Sequence, residues 1–452
     1  MTAPDRFTDY RVPDPGIRTL FQIEERWQAW LAVEAALAFA QADVGIIPRD
    51  AADMIAETAR IDLLDVGRIH NEAARVSHPL MPLITELTRV CGRHGQWVHW
   101  GATTQNIMQT GDLVLVRRAH DIIDNLLRQL LGSMAHLAER EADTVMAGRT
   151  HGQQGVPITF GFKVAVWIDE FVRHLERLMN VKPRLFVAML GGATGNYAST
   201  GPAGPAVQEA VGRSLGLGSM AIPARTINDQ MAEYVSILAM SLASMQKIGS
   251  EIITLMSTEV GEVQETMPIE TVGSSTMPQK KNPQLSQDIV GIAAQGKALV
   301  PLAFEAINSH HEADGASEDM MRHAVFTELI LSGDALARLN IVIPGLAVDA
   351  VRMKKNLLLT DGLIMSEAVM LGLAKYVGRQ NAHEIVRRAA QTALEGDSSF
   401  MAVLLAEPSV SKVFDEKSLR ILMDPSKYTG LSAQIARSAA ISAREAVARD
   451  EN

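Results

Sequence analysis

From Asn228 to Glu265 the chain runs without a proline, and Tyr234, Ile237, Leu238, Met245, Ile248, Ile252 and Leu255 recur at three- and four-residue spacing. That is the period of an α-helix, so the segment reads as one long helix. Its apolar positions wrap much of the circumference, and such a helix has to be covered on several sides. Met240, Met245 and Met256 on it read as adaptable core packing. Similar stretches run from Gly111 to Val145 and from Gln284 to Asn308, the latter kinked at Pro301, where a helix hydrogen bond is lost. Leu20, Trp27, Leu31, Ala35 and Phe39 repeat the spacing near the start, and strand-like alternation is hard to find. The expected fold is all-α, a bundle of long helices whose outer faces are buried by other subunits. A polar turn near Gly111 and the Lys354-Lys355-Asn356 stretch suggest three helical domains: 1–111, a central long-helix bundle over 112–355, and 356–452.

A chain of 452 residues with 47% hydrophobic and 21% charged residues is globular. The formal net charge of −10 argues against a nucleic-acid-binding surface, so anionic small molecules have to be caught by a local basic pocket. The one cysteine, Cys91, cannot close an internal disulfide, and 22 methionines suit a reducing compartment. The N-terminus carries no basic-then-apolar leader. The most apolar run, Tyr234 to Met245, is too short for a bilayer and continues into Lys247 and Glu251. A cytoplasmic protein with no membrane or nucleic-acid partner is expected.

Three polar blocks interrupt the apolar pattern: HWGATTQNIMQTGD (His99 to Asp112), GRTHGQQGVPITFG (Gly148 to Gly161) and GSSTMPQKKNP (Gly273 to Pro283). The third joins flexibility to chemistry. Gly273 opens backbone conformations closed to other residues, Ser274 and Ser275 offer hydroxyls and N–H groups, Lys280 and Lys281 add charge, and Asn282 adds an amide. Pro278 and Pro283 stiffen the loop and keep it out of a helix. There is no Walker loop, dinucleotide glycine fingerprint, Cys-x-x-Cys or His-Glu-x-x-His, which narrows the field. His310, His311 and Glu312, read as consecutive helical residues, point in different directions and cannot close one metal coordination sphere.

The third block resembles the signature loop of the aspartase/fumarase superfamily, in the form found in its adenylosuccinate lyase, argininosuccinate lyase and carboxymuconate cycloisomerase branches. The other two blocks are similar to the family's Thr-Ser-Ser-Asp region and its Thr-His-Gly-Gln block, and the likeness extends from the Leu20 to Ala38 region to DPSKYTG at Asp424 to Gly430. The resemblance implies removal of a proton next to a carboxylate, through a doubly negative aci-carboxylate, then loss of a group from the neighbouring carbon. It makes Ser274 the base and His151 the acid that protonates the leaving nitrogen. Thr103, Thr104, Thr150, Gln153, Ser275, Lys280 and Asn282 become substrate-binding residues, joined by His78 as a close neighbour of the acid. His99 is left between contacting substrate and packing. A homotetramer with active sites where three subunits meet is implied as well, with no metal or organic cofactor.

Within the superfamily, VHWGATTQN and VEAALAFAQADVGIIP resemble carboxymuconate cycloisomerases most, yet those enzymes commonly replace the histidine that this chain keeps as His151. Retention of the acid favours an elimination that releases an amine and fumarate from an N-substituted aspartate. Adenylosuccinate lyase itself fits less well: Ala313 stands where that family has an arginine, and Asn228 and Gln230 replace two more, while Arg225 is gained nearby. Ser317 and Arg322 remain candidates to hold a phosphate. The expected substrate is therefore a smaller di- or polycarboxylate. The alternatives are a 3-carboxy-cis,cis-muconate cycloisomerase-like enzyme, an adenylosuccinate lyase, and a catalytically silent structural homologue.

Overall fold

The computed structural model describes residues 6–266, 273, 275–396 and 398–449. Helices dominate, as the apolar spacing requires. The ones that matter below are α1 (Ile23–Asp43), α2 (Thr104–Arg140), α3 (Phe160–Leu185), α4 (Asp229–Leu255), α5 (Gln284–Lys297), α6 (Gly315–Gly345) and α7 (Ala350–Leu357). At 37 residues α2 is the longest of these, about 55 Å at the usual rise per residue. One antiparallel hairpin, β1 (Val145–Thr150) and β2 (Gln153–Thr159), lies between α2 and α3. No helix among the described residues is long and apolar enough to cross a membrane.

The chain divides into two compact units. The first holds Met1–Leu127, His174–Gln246 and Gly291–Ala337, and the second Arg128–Arg173, Lys247–Val290 and Arg338–Asn452. In the first, Trp27, Trp30, Leu31 and Leu37 of α1 pack with Leu80, Leu83, Leu87 and Ile107 in one buried cluster. In the second, Val369, Leu373, Phe400, Leu404 and Leu419 form a smaller one.

Several sequence expectations change. There is no turn at Gly111, which lies inside α2. A Cβ there would come within 2.7 Å of Trp30 Cδ1 and 3.1 Å of the Ala29 backbone, so the glycine serves the close crossing of α1 and α2. The stretch from Asn228 ends as a helix at Leu255, and its seven periodic apolar residues are all buried within one chain. Covering them therefore does not by itself call for a second subunit. Pro301 does not kink one helix; α5 stops at Lys297 and a separate helix, Val300–Glu305, starts with the proline in its first turn. His310, His311 and Glu312 are not helical, because α6 begins only at Gly315, after Asp314 Oδ1 has accepted the Ala316 N–H at 2.9 Å.

Candidate active site

In the first unit, block one is a turn leading into α2, clamped by α1. Glu34, 2% exposed, meets His99 Nδ1 at 2.6 Å, and Gln41 Nε2 donates to the Trp100 carbonyl at 2.7 Å. These two polar residues lie two helical turns apart on one face of α1, and they hold His99 at a left-handed φ of 60°. Burial pushes the His99 imidazole down, but the hydrogen bond and charge of Glu34 more than offset this and its pKa is raised. Thr103 precedes α2 and Thr104 opens it. Buried Asn106 ties this start to a neighbouring loop, its Oδ1 accepting the N–H of Thr103 at 3.4 Å and of Gly192 at 3.0 Å. Arg225 is braced rather than free: Nε donates to Gln105 Oε1 at 2.6 Å and Nη1 to the Ala193 carbonyl at 3.0 Å.

His78 precedes the helix Met81–Val90 and caps it, with Nδ1 accepting the N–H groups of Met81 at 2.9 Å and Leu80 at 3.2 Å. With Nδ1 occupied by these two N–H groups, Nε2 is the ring nitrogen left to meet a ligand. His78 lines a cavity of about 490 Å³ with Arg26, Trp27, Trp30, Glu318 and Arg322. Glu318 and Arg322 also line a smaller cavity of about 60 Å³ with Gln105 and Asn228. Ser317 is 1% exposed and its hydroxyl turns to Asn308 and Asp314, while Arg322 is paired with Asp319. Neither is a free phosphate ligand. The sequence did not single out Glu318; its signal was a carboxylate one helical turn before Arg322.

In the second unit, block two is the β-hairpin. Thr150 ends β1, Gln153 opens β2, and His151, at φ 52°, and Gly152 make the exposed turn between them. Both strands are anchored from behind. Arg149 binds the fully buried Glu262 carboxylate through two hydrogen bonds of 2.9 and 2.6 Å, and Gln154 donates to the Asn356 carbonyl at 2.7 Å. Asn356 closes the set by donating to Glu262 at 2.7 Å. A rigid base thus presents the Thr150–Gln153 tip to the outside.

Block three lies in the same unit. Ser274 falls outside the described residues. Ser275, Lys280 and Lys281 are exposed. Asn282 Nδ2 donates to the Gly273 carbonyl at 2.6 Å, so part of its amide is spent on closing the loop. A Cβ on Gly273 would overlap the Lys280 carbonyl oxygen, which is why this position takes glycine. Beyond the loop, Glu265, 1% exposed, accepts the N–H groups of Leu285 at 3.0 Å and Ser286 at 3.1 Å, fixing the start of α5. The expected site residues are therefore shared between the units: His78, Thr103, Thr104 and Arg225 in the first, and Thr150, His151, Gln153, Ser275, Lys280 and Asn282 in the second.

Residues 9–296 match the Lyase family and residues 362–439 the adenylosuccinate lyase C-terminus. The chain is 36% identical over 420 residues to N-acetyl-S-(2-succino)cysteine lyase of Dickeya dadantii, covering 93% of this chain and 92% of that protein. It is 37% identical over 432 residues to adenylosuccinate lyase of Methanocaldococcus jannaschii, covering 94% and 93%. Among solved structures, 3-carboxy-cis,cis-muconate lactonizing enzyme from Pseudomonas putida superposes with a TM-score of 0.90 at 33% identity, over 98% of this chain and 100% of that one. The signature loop, the histidine-bearing hairpin and these likenesses over nearly the whole length agree, and the chain belongs to the lyase family of the aspartase/fumarase superfamily, in its adenylosuccinate lyase and carboxymuconate cycloisomerase-like branch.

Proposed function

We propose that this lyase eliminates a small leaving group from a succinylated compound and releases fumarate. One observation carries the reading: the chain keeps both GSSTMPQKKNP and His151, a candidate base and a candidate acid. Ser274 removes the proton from the carbon beside a substrate carboxylate, and the electron pair moves into that carboxylate to form the aci-carboxylate. Preorganised donors lower the barrier to this charge, here the Thr103, Thr104 and Ser275 hydroxyls and the Lys280 cation. A serine hydroxyl is a weak acid, so its alkoxide depends on nearby N–H groups and positive charge. The pair then forms the carbon–carbon double bond as the bond to the leaving atom breaks. His151, of a residue type that titrates near neutrality, gives that atom a proton. The exposed, firmly anchored turn that carries His151 supports a role toward substrate. Thr150 and Gln153 flank the acid, His78 and Arg225 offer donors to carboxylates, and Asn282 braces the base's loop. The enzyme works as a cytoplasmic homotetramer, its sites completed by neighbouring subunits.

The main reading takes nitrogen as the leaving atom. A thiol leaving group is the second, favoured by the relative whose name carries S-(2-succino)cysteine. Against a nucleotide leaving group stand Ala313, the inward-turned Ser317 and the Asp319-paired Arg322. Cycloisomerisation of carboxymuconate, suggested by the structural relatives, gives no fumarate. The test is a panel of N-substituted aspartates, S-succinylated thiols, adenylosuccinate and carboxymuconate, assayed for fumarate and lactone. Fumarate should come from small members at least about tenfold more efficiently than from adenylosuccinate. His151→Asn should harm alkylamine leaving groups more than good ones. Lactone without fumarate, or efficient adenylosuccinate cleavage, contradicts the reading.

A further inference from the structure

The two cavities of the first unit share a wall, Glu318 and Arg322. Most of the side chains around them already have hydrogen-bond or ion-pair partners. Arg26 binds Asp112 through two hydrogen bonds of 3.0 and 2.8 Å, and Asp112 also accepts Trp30 Nε1 at 2.9 Å. Arg322 is paired with Asp319. His70 faces Glu24 at 3.6 Å. His78 Nδ1 is occupied by two backbone N–H groups. Arg225 is hydrogen-bonded to Gln105 and to the Ala193 carbonyl, both neutral acceptors, so its charge still acts on Glu318 without a direct contact.

Glu318 is left over. Its carboxyl has no hydrogen-bond or ion-pair partner among the described residues, although it lines both cavities. Burial raises its pKa; Arg322 and Arg225 pull it down, Asp112 and Asp319 push it up, and the net direction is upward. A half-buried carboxylate without a partner is costly unless something supplies a positive charge or a donor. The larger cavity, about 490 Å³, is of a size that takes a small molecule.

We propose that this cavity is a subsite for a primary ammonium group on the leaving part of the substrate, and that Glu318 is the residue that selects it. The proposal rests on the elimination reading above and narrows its substrate class: the leaving compound is a diamine or an amino-acid-like thiol or amine with a free ammonium. The same carboxylate disfavours phosphate by repulsion, an element of rejection as well as attraction.

Two matched pairs test this: S-(2-succino)cysteine against its N-acetyl derivative, and aspartate N-substituted with 2-aminoethyl against 2-acetamidoethyl. Within each pair acetylation removes the ammonium charge and adds an acetyl group, so the comparison with Glu318→Gln isolates the part due to charge. Calorimetric binding to the full-length protein and kcat/KM for fumarate release should both favour the ammonium member by about tenfold or more. Glu318→Gln, nearly the same shape, should bring the ratio close to one, and Glu318→Asp should retain part of it, with unchanged melting of both variants. Equal or tighter handling of the acetylated members by the wild type, a ratio that survives Glu318→Gln, or no binding of any of the four overturns the subsite. Fumarate release without an ammonium preference sinks the subsite and leaves the elimination reading intact. Ammonium-selective binding lost in Glu318→Gln, with no fumarate from any compound, supports the subsite and sinks the elimination reading.

Discussion

Glu328 on α6 is fully buried, and neither of its carboxylate oxygens finds a hydrogen bond among the described residues. Burial pushes its pKa up to about 8, so the native protein holds this carboxyl protonated at neutral pH. The unfolded chain releases that proton at an ordinary carboxylate pKa of 4.5. Between those two values the native state binds the extra proton, so this group's contribution to stability falls as pH rises, by about 1.4 kcal/mol per unit, and levels off above pH 8. Glu328→Gln should flatten that slope and melt above the wild type at pH 8, which thermal unfolding from pH 5 to 9 will check. An unchanged slope would mean that the carboxyl has a partner in the folded assembly. Nothing in the sequence marks Glu328, because burial without a partner depends on Gly296 and Leu242 packing beside it. Ser274, His151 and Lys280 stand out as candidates in the sequence itself, since the polar motifs that carry them interrupt the apolar pattern. Glu34 and Glu262 do not, being ordinary acids until the fold sets them against His99 and Arg149.

The element that decides the position of His151, the proposed acid, is the hairpin. Glu262, with no exposed side-chain surface, holds Arg149 and is itself held by Asn356. Losing one partner of a buried pair strands the other charge, at a cost of about 3–5 kcal/mol. Glu262→Gln should therefore lower the melting temperature, speed amide exchange at residues 150–153, and reduce turnover more than substrate binding. Unchanged exchange at the turn would show that the hairpin does not depend on this anchor. The long helices were readable from apolar spacing. The hairpin was not, because Val145 to Thr150 lacks apolar alternation and its register shifts between Ala147 and Arg149. Gly111 was misread for a related reason: glycine beside polar residues signals a turn locally, whereas here it admits Trp30 of another helix.

For the whole molecule, the proposed tetramer now rests on kinship, since the seven periodic apolar residues of α4 are already buried within one chain. Light scattering should give about four times the 49.0 kDa chain mass. A monomer that stays fully active on dilution contradicts shared active sites. The central claim is the elimination itself, and its most direct measurement is fumarate release from a succinylated substrate of the panel, followed with wild type and Ser274→Ala side by side. The account predicts fumarate from the wild type, and from the variant a loss of turnover of about a thousandfold or more with substrate binding retained. A Ser274→Ala enzyme that releases fumarate at a near-normal rate would contradict it.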